Sequence, residues 1–412
     1  MSDDGSRAFA AAFRSIGVNA LVTPPSDMQT LELGAKYTSG DECYPEKVTL
    51  GDFLRIADQP GFDPSRTAFF MPTAGGPCRF GQYSPFLQKV LKDRGLEEAI
   101  VVSPSSGDGY AAIGEHAGEL TRIAWRALVA ADILRKLLLT TRPYEVDVGE
   151  TDAVHEECLV DVCEAIERRG LENKDKLALI RRAIERSREK FEAVHTDYSE
   201  VRPLIGVVGE IFCRLSTFSN DDLIRRIEEH GGEGWLSDVA EWIWYTNAEQ
   251  RKNLKLEGKR FSKAMLGTHI KAHFQRKDEE TLLEPVADYF RGYEEPHDIM
   301  EILNLSFPYL PYHGALGEMV LSVGKAIYLQ EKGADGIVDI SPFTCMNGIV
   351  CEAVYPRVSS EHDSIPIRNF YFDGTLSDLD RDIGIFMELA HNYRRRKKAK
   401  RKLPARFGKK SA

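Results

Sequence analysis

A chain of 412 residues has room for two or three cores, and 42% hydrophobic with 29% charged residues fits a soluble globular protein rather than a disordered one. No apolar run approaches the ~20 residues that span a bilayer, and the acidic start MSDDGSRAF lacks a secretory apolar segment, so a cytoplasmic protein is expected. The net charge of −10 is uneven: from Arg394 on, RRRKKAKRKLPARFGKKSA carries eleven Lys/Arg and no acid, which leaves the body near −21, a poor general binder of nucleic acid.

In chain order, Ser6–Ile16 reads as a helix and Ala20–Thr23 as a short strand. DECYPEKVTLGDFLRIA reads as a loop carrying Cys43, then an amphipathic helix with Val48, Leu50, Phe53, Leu54 and Ile56. TAFFMPT predicts a strand running into MPTAGGPCRFGQYSPF, where Cys78 sits among three glycines. A helix over Pro85–Arg94 and a buried strand at AIVVSPSS follow. Strand, loop, helix, strand is the grammar of a parallel α/β unit, and in such sheets the loops after strand ends build the site.

From Gly118 to about Arg202 the period turns helical, with Leu120, Ile123, Ala127, Leu128, Ala131 and Leu134 on one face. Cys158 and Cys163 lie five apart on a helix, do not stack as i,i+4 pairs would, and read as packing thiols. RPLIGVVGEIF opens a second α/β unit. Ser219 or Asn220 is expected to cap the next helix, with acids in its first turn and Gly231–Gly232 at its end. A mostly helical stretch runs to about Leu329. The last unit, GADGIVDISPFTCMNGIVCEAV, reads strand, loop, helix, and is followed by IPIRNFYFDG and the helix DLDRDIGIFMELAHNYRRR. The basic tail is expected to be a solvated, disordered end.

No nucleotide cradle of the G-x-x-x-x-G-K-[ST] or G-x-G-x-x-G kind is present, nor H-E-x-x-H or G-x-S-x-G. Seven cysteines without compact spacing do not form a secreted disulfide framework. Three of them, Cys43, Cys78 and Cys345, share a context: a loop rich in Gly or Pro, after a strand or just before a helix. Thiolates at helix N-termini are stabilised by backbone N–H groups and the helix dipole, which suits metal or cluster ligation. Spacing alone, with gaps of 35 and 267 residues, proves nothing; three separate buried thiols are the alternative, and a three-cysteine zinc site is a third reading.

The runs LELGAKYTSGDECYPEKVTLGDFL, AFFMPTAGGPCRFGQYSPFLQKVLKD, RPLIGVVGEIFCRLSTFSNDDLIRRIEEHGGEGWL and GADGIVDISPFTCMNGIVCEAVYPRV resemble the 2-hydroxyacyl-CoA dehydratase and benzoyl-CoA reductase superfamily. The likeness is greatest to the reductase-like C-terminal region of the large activase-related proteins. It covers nearly the whole chain except the tail. The resemblance implies Rossmann-like parallel-sheet α/β domains with a helical insertion and an iron–sulfur cluster, [4Fe–4S] in most relatives, at the domain interface. The ligands carried over are Cys43, Cys78 and Cys345, which leave one iron without a protein ligand. Cys351 and Cys213 read either as core thiols or as further ligands of a double-cubane type. Arg79, Gln82, Tyr83, Gly75, Gly76 and Gly348 are candidates to surround the cofactor, and Glu210, Arg214 and His313 are candidates for proton transfer or catalysis.

The expected organisation is a first α/β domain over 1–117, a helical segment over 118–201, a second α/β domain over 202–393 and the tail over 394–412. The expected activity is that of a reductase or dehydratase component acting on an acyl-CoA or another small reducible substrate. Its electrons would come from a separate ATP-hydrolysing activase of the actin-like fold. A non-catalytic cluster-bearing electron carrier or scaffold is the competing reading. A homo- or hetero-dimer is open, no membrane partner is expected, and nucleic acid is considered only for the tail.

Overall fold

The computed structural model describes residues 2–104, 117–314, 317–375 and 378–408. Its first helix, α1 (Asp3–Ser15), is capped by Ser2, whose side chain accepts from Gly5 N, and carries Asp3 and Asp4 in the positive first turn. Helix α2 (Met28–Ala35) starts on a reciprocal cap between Asp27 and Thr30 and lies on α3 (Tyr44–Ala57). Two glycines let these backbones touch. A Cβ on Gly34 would stand 2.0 Å from the Lys47 carbonyl oxygen, and one on Gly51 would stand 1.9 Å from that of Thr30. This contact fixes the first turn of α3, and with it Cys43.

Next comes a single β-α-β unit: β1 (Ala68–Phe70), α4 (Phe80–Asp93) and β2 (Ile100–Val102), with the strands parallel. Helix α4 begins five residues before the expected Pro85, so the Cys78 loop feeds straight into its first turn. The strand expected to be buried at AIVV is half open, with Ile100 63% exposed, because a two-stranded sheet has too few neighbours to cover it. The strand expected at Ala20–Thr23 is irregular; the prolines at 24 and 25 end it at once, and Leu21 is exposed.

Three long helices form the middle of the molecule: α5 (Ala117–Thr141), α6 (Glu150–Glu167) and α7 (Asn173–Ala193). Cys158 and Cys163 are buried in this core, as packing thiols should be, and α1 packs onto α5 and α6 through Ala8, Ala11 and Ala12.

The second sheet is parallel throughout, in the order β4 (Glu233–Leu236), β3 (Leu204–Gly209), β5 (Gly336–Pro342), β6 (Ile367–Phe372). Its central strands β3 and β5 are buried along their whole length; β3 reads as a continuous apolar run, as two-sided burial demands, while β5 interrupts its run with the buried Asp339 and Ser341. Between β3 and β4 lie two short helices, α8 (Ile211–Leu215) and α9 (Leu223–Glu229). Asn220 does accept from Leu223 N at the start of α9, and Gly231–Gly232 does close it. The acids Asp221 and Asp222 stand before its first turn rather than in it, both at positive φ. Strand β4 was hidden by its shortness and by a buried glutamate, Glu233.

From β4 the chain leaves the sheet through α10 (Val239–Leu256), α11 (Lys263–Leu283), α12 (Ile299–Ser306) and α13 (Glu318–Glu331), and returns on the other side of β3 as β5. Helix α14 (Met346–Glu361) then leads to β6, and α15 (Leu379–Arg396) ends the regular structure. Because β4 follows β3 on one side and β5 joins it on the other, the order reverses between β3 and β5. In open parallel sheets such a reversal, beyond the carboxyl ends of the strands, is where ligands bind.

As far as residue 408 the tail is packed on the protein rather than solvated, and residues 409–412 lie outside the described residues. Arg401 Nη2 donates to both Glu233 oxygens at 2.7 and 2.8 Å, and Lys397 pairs with Asp335 at 2.8 Å. The Arg406 guanidinium lies 3.8 Å from the centroid of the Tyr289 ring, and Phe407 packs on Tyr144 and Tyr198. The strap crosses the amino ends of β3, β4 and β5. It passes so close that a Cβ on Gly292 would lie 2.1 Å from the Lys402 carbonyl oxygen. Local sequence showed only the cations; their acidic partners come from distant strands.

Candidate functional site

The reversal point between β3 and β5 is where the cysteine loops gather. Beyond β5, Pro342 leads through Thr344 (φ +64°) to Cys345, the N-cap of α14. Beyond β3, Glu210 caps α8, which carries Cys213 and Arg214. The first unit supplies Cys43, the N-cap of α3, and Cys78, two residues ahead of α4.

Each of the three loop thiols meets helix-start amides. The amides of Glu46 near Cys43, of Phe80 near Cys78, and of Gly348 and Asn347 near Cys345 each favour the thiolate. Such amides and the dipole behind them favour sulfur carrying negative charge. Burial works in the other direction and prevails: it pushes the Cys43 thiol up to about 11 and the Cys345 thiol to about 12, whereas Cys78 is exposed at the surface and is raised by the crowding of its loop. A thiol so placed gives up its proton to a metal rather than to water.

One side chain ties the loops together. Arg79 Nη1 donates to the Asp41 carbonyl oxygen at 2.8 Å, while Nη2 donates to the Thr344 carbonyl and hydroxyl oxygens at 3.0 Å each. The loops bearing Cys43, Cys78 and Cys345 are thus held by one guanidinium, whose planar fork reaches acceptors on two sides. Tyr83, buried one turn into α4, sets its hydroxyl 2.6 Å from Cys43 Sγ. Behind it lies a narrow slot lined by Leu50, Phe53, Met71, Phe86 and Leu87, which Glu46 also lines. Burial, with Glu42 adding its charge, pushes Glu46 up to about 7.

The remaining candidates are placed as follows. Gly75, Gly76 and Gln82 are exposed, and a Cβ on either glycine would meet nothing within 4 Å; Gly76 is needed for its φ of +95°. Gly348 lets α14 press on β5, since a Cβ there would stand 2.6 Å from Ser341 Oγ. Glu210 accepts from Phe212 N and Cys213 N. Arg214 is buried with its Nε unpartnered, and Glu210, Glu318 and Asp339 all feel its charge. Cys213 is fully buried, and its thiol is raised well above the usual range by burial, then by Glu210, Cys345 and Cys43. Cys351 is buried on α14, and its thiol donates to the Met319 carbonyl oxygen at 3.6 Å. His313 is set apart: it is exposed against Tyr312 and Phe307, and no hydrogen bond or ion pair joins it to the cysteine loops among the described residues.

Sequence reading missed Glu318 and Asn347. Glu318, at the start of α13, accepts from Ile211 N at 2.7 Å and from Asn347 Nδ2 at 3.2 Å, which links the β3 and β5 loops. Burial, then the nearby Glu210 charge, pushes it up to about 8. A lone glutamate in a helical stretch carries no local signal; only the strand order brings it here.

Among the described residues no three His, Cys, Asp or Glu side chains converge closely enough to hold a single metal ion. The donor chemistry itself, soft sulfur on three loops at or just before helix starts, fits an iron–sulfur group. No family model matches the chain, and neither does any curated protein.

Proposed function

We propose that this chain is an iron–sulfur component of the reductase or dehydratase kind. Cys43, Cys78 and Cys345 would hold the cluster where two Rossmann-like units meet, and a separate ATP-hydrolysing activase would supply electrons for an acyl-CoA or other small reducible substrate. The observation that carries the reading is the Arg79 tie, which gathers three loops, each ending in a thiol at a helix start, although 265 residues separate Arg79 from Thr344.

When bound, such a cluster supplies low-potential one-electron chemistry at an iron with an open position. The chain's own residues do the rest. Arg79 holds the loops in register and places positive charge beside Cys43 and Cys78, offsetting part of the negative charge of ligated sulfur. Tyr83 O–H donates toward Cys43 sulfur and damps its basicity. Glu210 and Glu318 fix the β3 loop by accepting its backbone amides. The buried Arg214 guanidinium keeps a free Nε donor beside them.

The test is anaerobic purification with iron and sulfide counts and an EPR spectrum of the reduced protein. Several irons per chain, matched by sulfide, are expected. Iron-free protein whose triple Cys→Ala variant is spectroscopically unchanged would remove the reading. Zinc in place of iron would replace it with a structural metal site, and cluster-loaded protein that turns over nothing with an activase and ATP would leave an electron carrier.

A further inference from the structure

The turn between α10 and α11 is unlike the rest of the surface. Leu256 is 78% and Phe261 95% exposed there, and α11 continues the apolar surface with Leu266, Ile270 and Phe274 at i, i+4 and i+8, all exposed. Exposed apolar side chains scattered singly are ordinary, but a contiguous set such as this marks an interaction surface. Charge is just as uneven. From Arg251 to Lys277 the chain carries nine Lys/Arg and one acid, a local +8 in a chain of net −10, so the remainder carries −18. Lys255, Lys259, Arg260 and Lys263 surround the tip and are all exposed, and Lys263 and Lys277 bracket the apolar stripe of α11.

We propose that this helical hairpin docks on an anionic phospholipid surface, with Phe261, Leu256 and Leu266 entering the headgroup layer and the surrounding cations meeting lipid phosphates. The local charge decides between partners. A second copy of the same face would set the exposed tip cations Lys255, Lys259, Arg260 and Lys263 against their own kind, so self-pairing is opposed. Nucleic acid would satisfy the cations but leaves the aliphatic Leu256, Leu266 and Ile270 without a role. An anionic bilayer takes both at once: apolar side chains gain by burial, and each Lys or Arg near the surface is attracted to the lipid phosphates. No helix among the described residues is long and apolar enough to cross a membrane. That observation concerns spanning and leaves open a helix lying in the interface. The proposal is independent of the cysteine site.

The experiment sediments the full chain with vesicles of phosphatidylcholine alone and of phosphatidylcholine mixed with phosphatidylglycerol. Binding to the mixed vesicles only is expected, and it weakens as salt rises. Phe261→Ser with Leu256→Ser, and separately Lys259→Glu with Arg260→Glu, should each reduce that binding about tenfold or more. All four side chains are exposed, so melting temperatures should not move. Absence of wild-type binding to anionic vesicles at low salt overturns the proposal. So does undiminished binding by the charge-reversed variant, and so does a dimer in solution that the Phe261 variant breaks.

Discussion

Arg79 reaches Thr344 with two hydrogen bonds of 3.0 Å, one to its carbonyl oxygen and one to its hydroxyl. The contact joins the first α/β unit to the loop beyond β5 and holds Thr344 at a positive φ that a β-branched residue seldom adopts. Arg79→Ala removes this bridge and the bond to Asp41. Unfolding in urea should show a loss of about 1–3 kcal/mol, and iron retained per chain should fall. Arg79→Lys should recover only part of both, because one ammonium cannot reach both loops as the fork does. Iron content and stability unaffected by Arg79→Ala would show that the loops assemble without it.

The seven cysteines should separate by iron content. Cys43→Ala, Cys78→Ala and Cys345→Ala are each expected to strip most of the iron. Cys158→Ala and Cys163→Ala, in the helical core, should keep the full count and cost only about 1–2 kcal/mol of stability. Cys213→Ala and Cys351→Ala decide the ligand set: retained iron makes them core thiols, and partial loss extends the site.

Asp52 gives a pH signature away from the cysteines. Its carboxylate accepts from Ser26 Oγ at 2.9 and 3.1 Å, but burial outweighs this and the pull of Arg55, pushing the group up to about 6. The folded chain therefore holds this proton more tightly than the unfolded one does. Stability from the group is complete below about pH 4 and is lost as pH rises through about 6, by roughly 2 kcal/mol after allowance for partial exposure. Asp52→Asn should flatten that part of the stability profile and melt above wild type at pH 7. Parallel profiles for the two proteins would show that Asp52 titrates normally.

Glu233 and Arg401 offer a test of the strap. Both side chains are buried, at 0% and 7% exposure, and Tyr144 also donates to Glu233 at 2.6 Å. Arg401→Ala leaves a buried carboxylate without its cation and should cost about 3–5 kcal/mol. Adding Glu233→Gln should recover much of the loss, since the uncompensated charge is then gone. An Arg401→Ala variant as stable as wild type would mean that the tail contributes nothing to the fold.

What could be read in the sequence was what local pattern encodes. The apolar run of β3, the interrupted run of β5, the glycine stop after α9, and the loop setting of Cys43, Cys78 and Cys345 are all visible within a dozen residues. Strand β4 was not, because four residues containing Gly234 and Glu233 look like a turn until Arg401 supplies the missing charge. The same is true of Glu318, which becomes part of the site only because α13 starts beside the β3 loop. The tail was misread for the reverse reason: its cations are conspicuous locally, while Glu233, Asp335 and the Tyr289 ring that receive them lie far back in the chain.

The strap also sets an order of events during synthesis. Glu233 leaves the ribosome 168 residues ahead of the arginine that neutralises it. At about 5–20 residues per second the interval is roughly 8–34 s. Through that time the Glu233 carboxylate can accept only from tyrosine hydroxyls, Tyr144 at once and Tyr293 later, so its charge stays uncompensated at the edge of the sheet. The strap that follows α15 is thus what neutralises a strand made far earlier, and a chaperone that shields this edge would have its longest opportunity before the strap arrives.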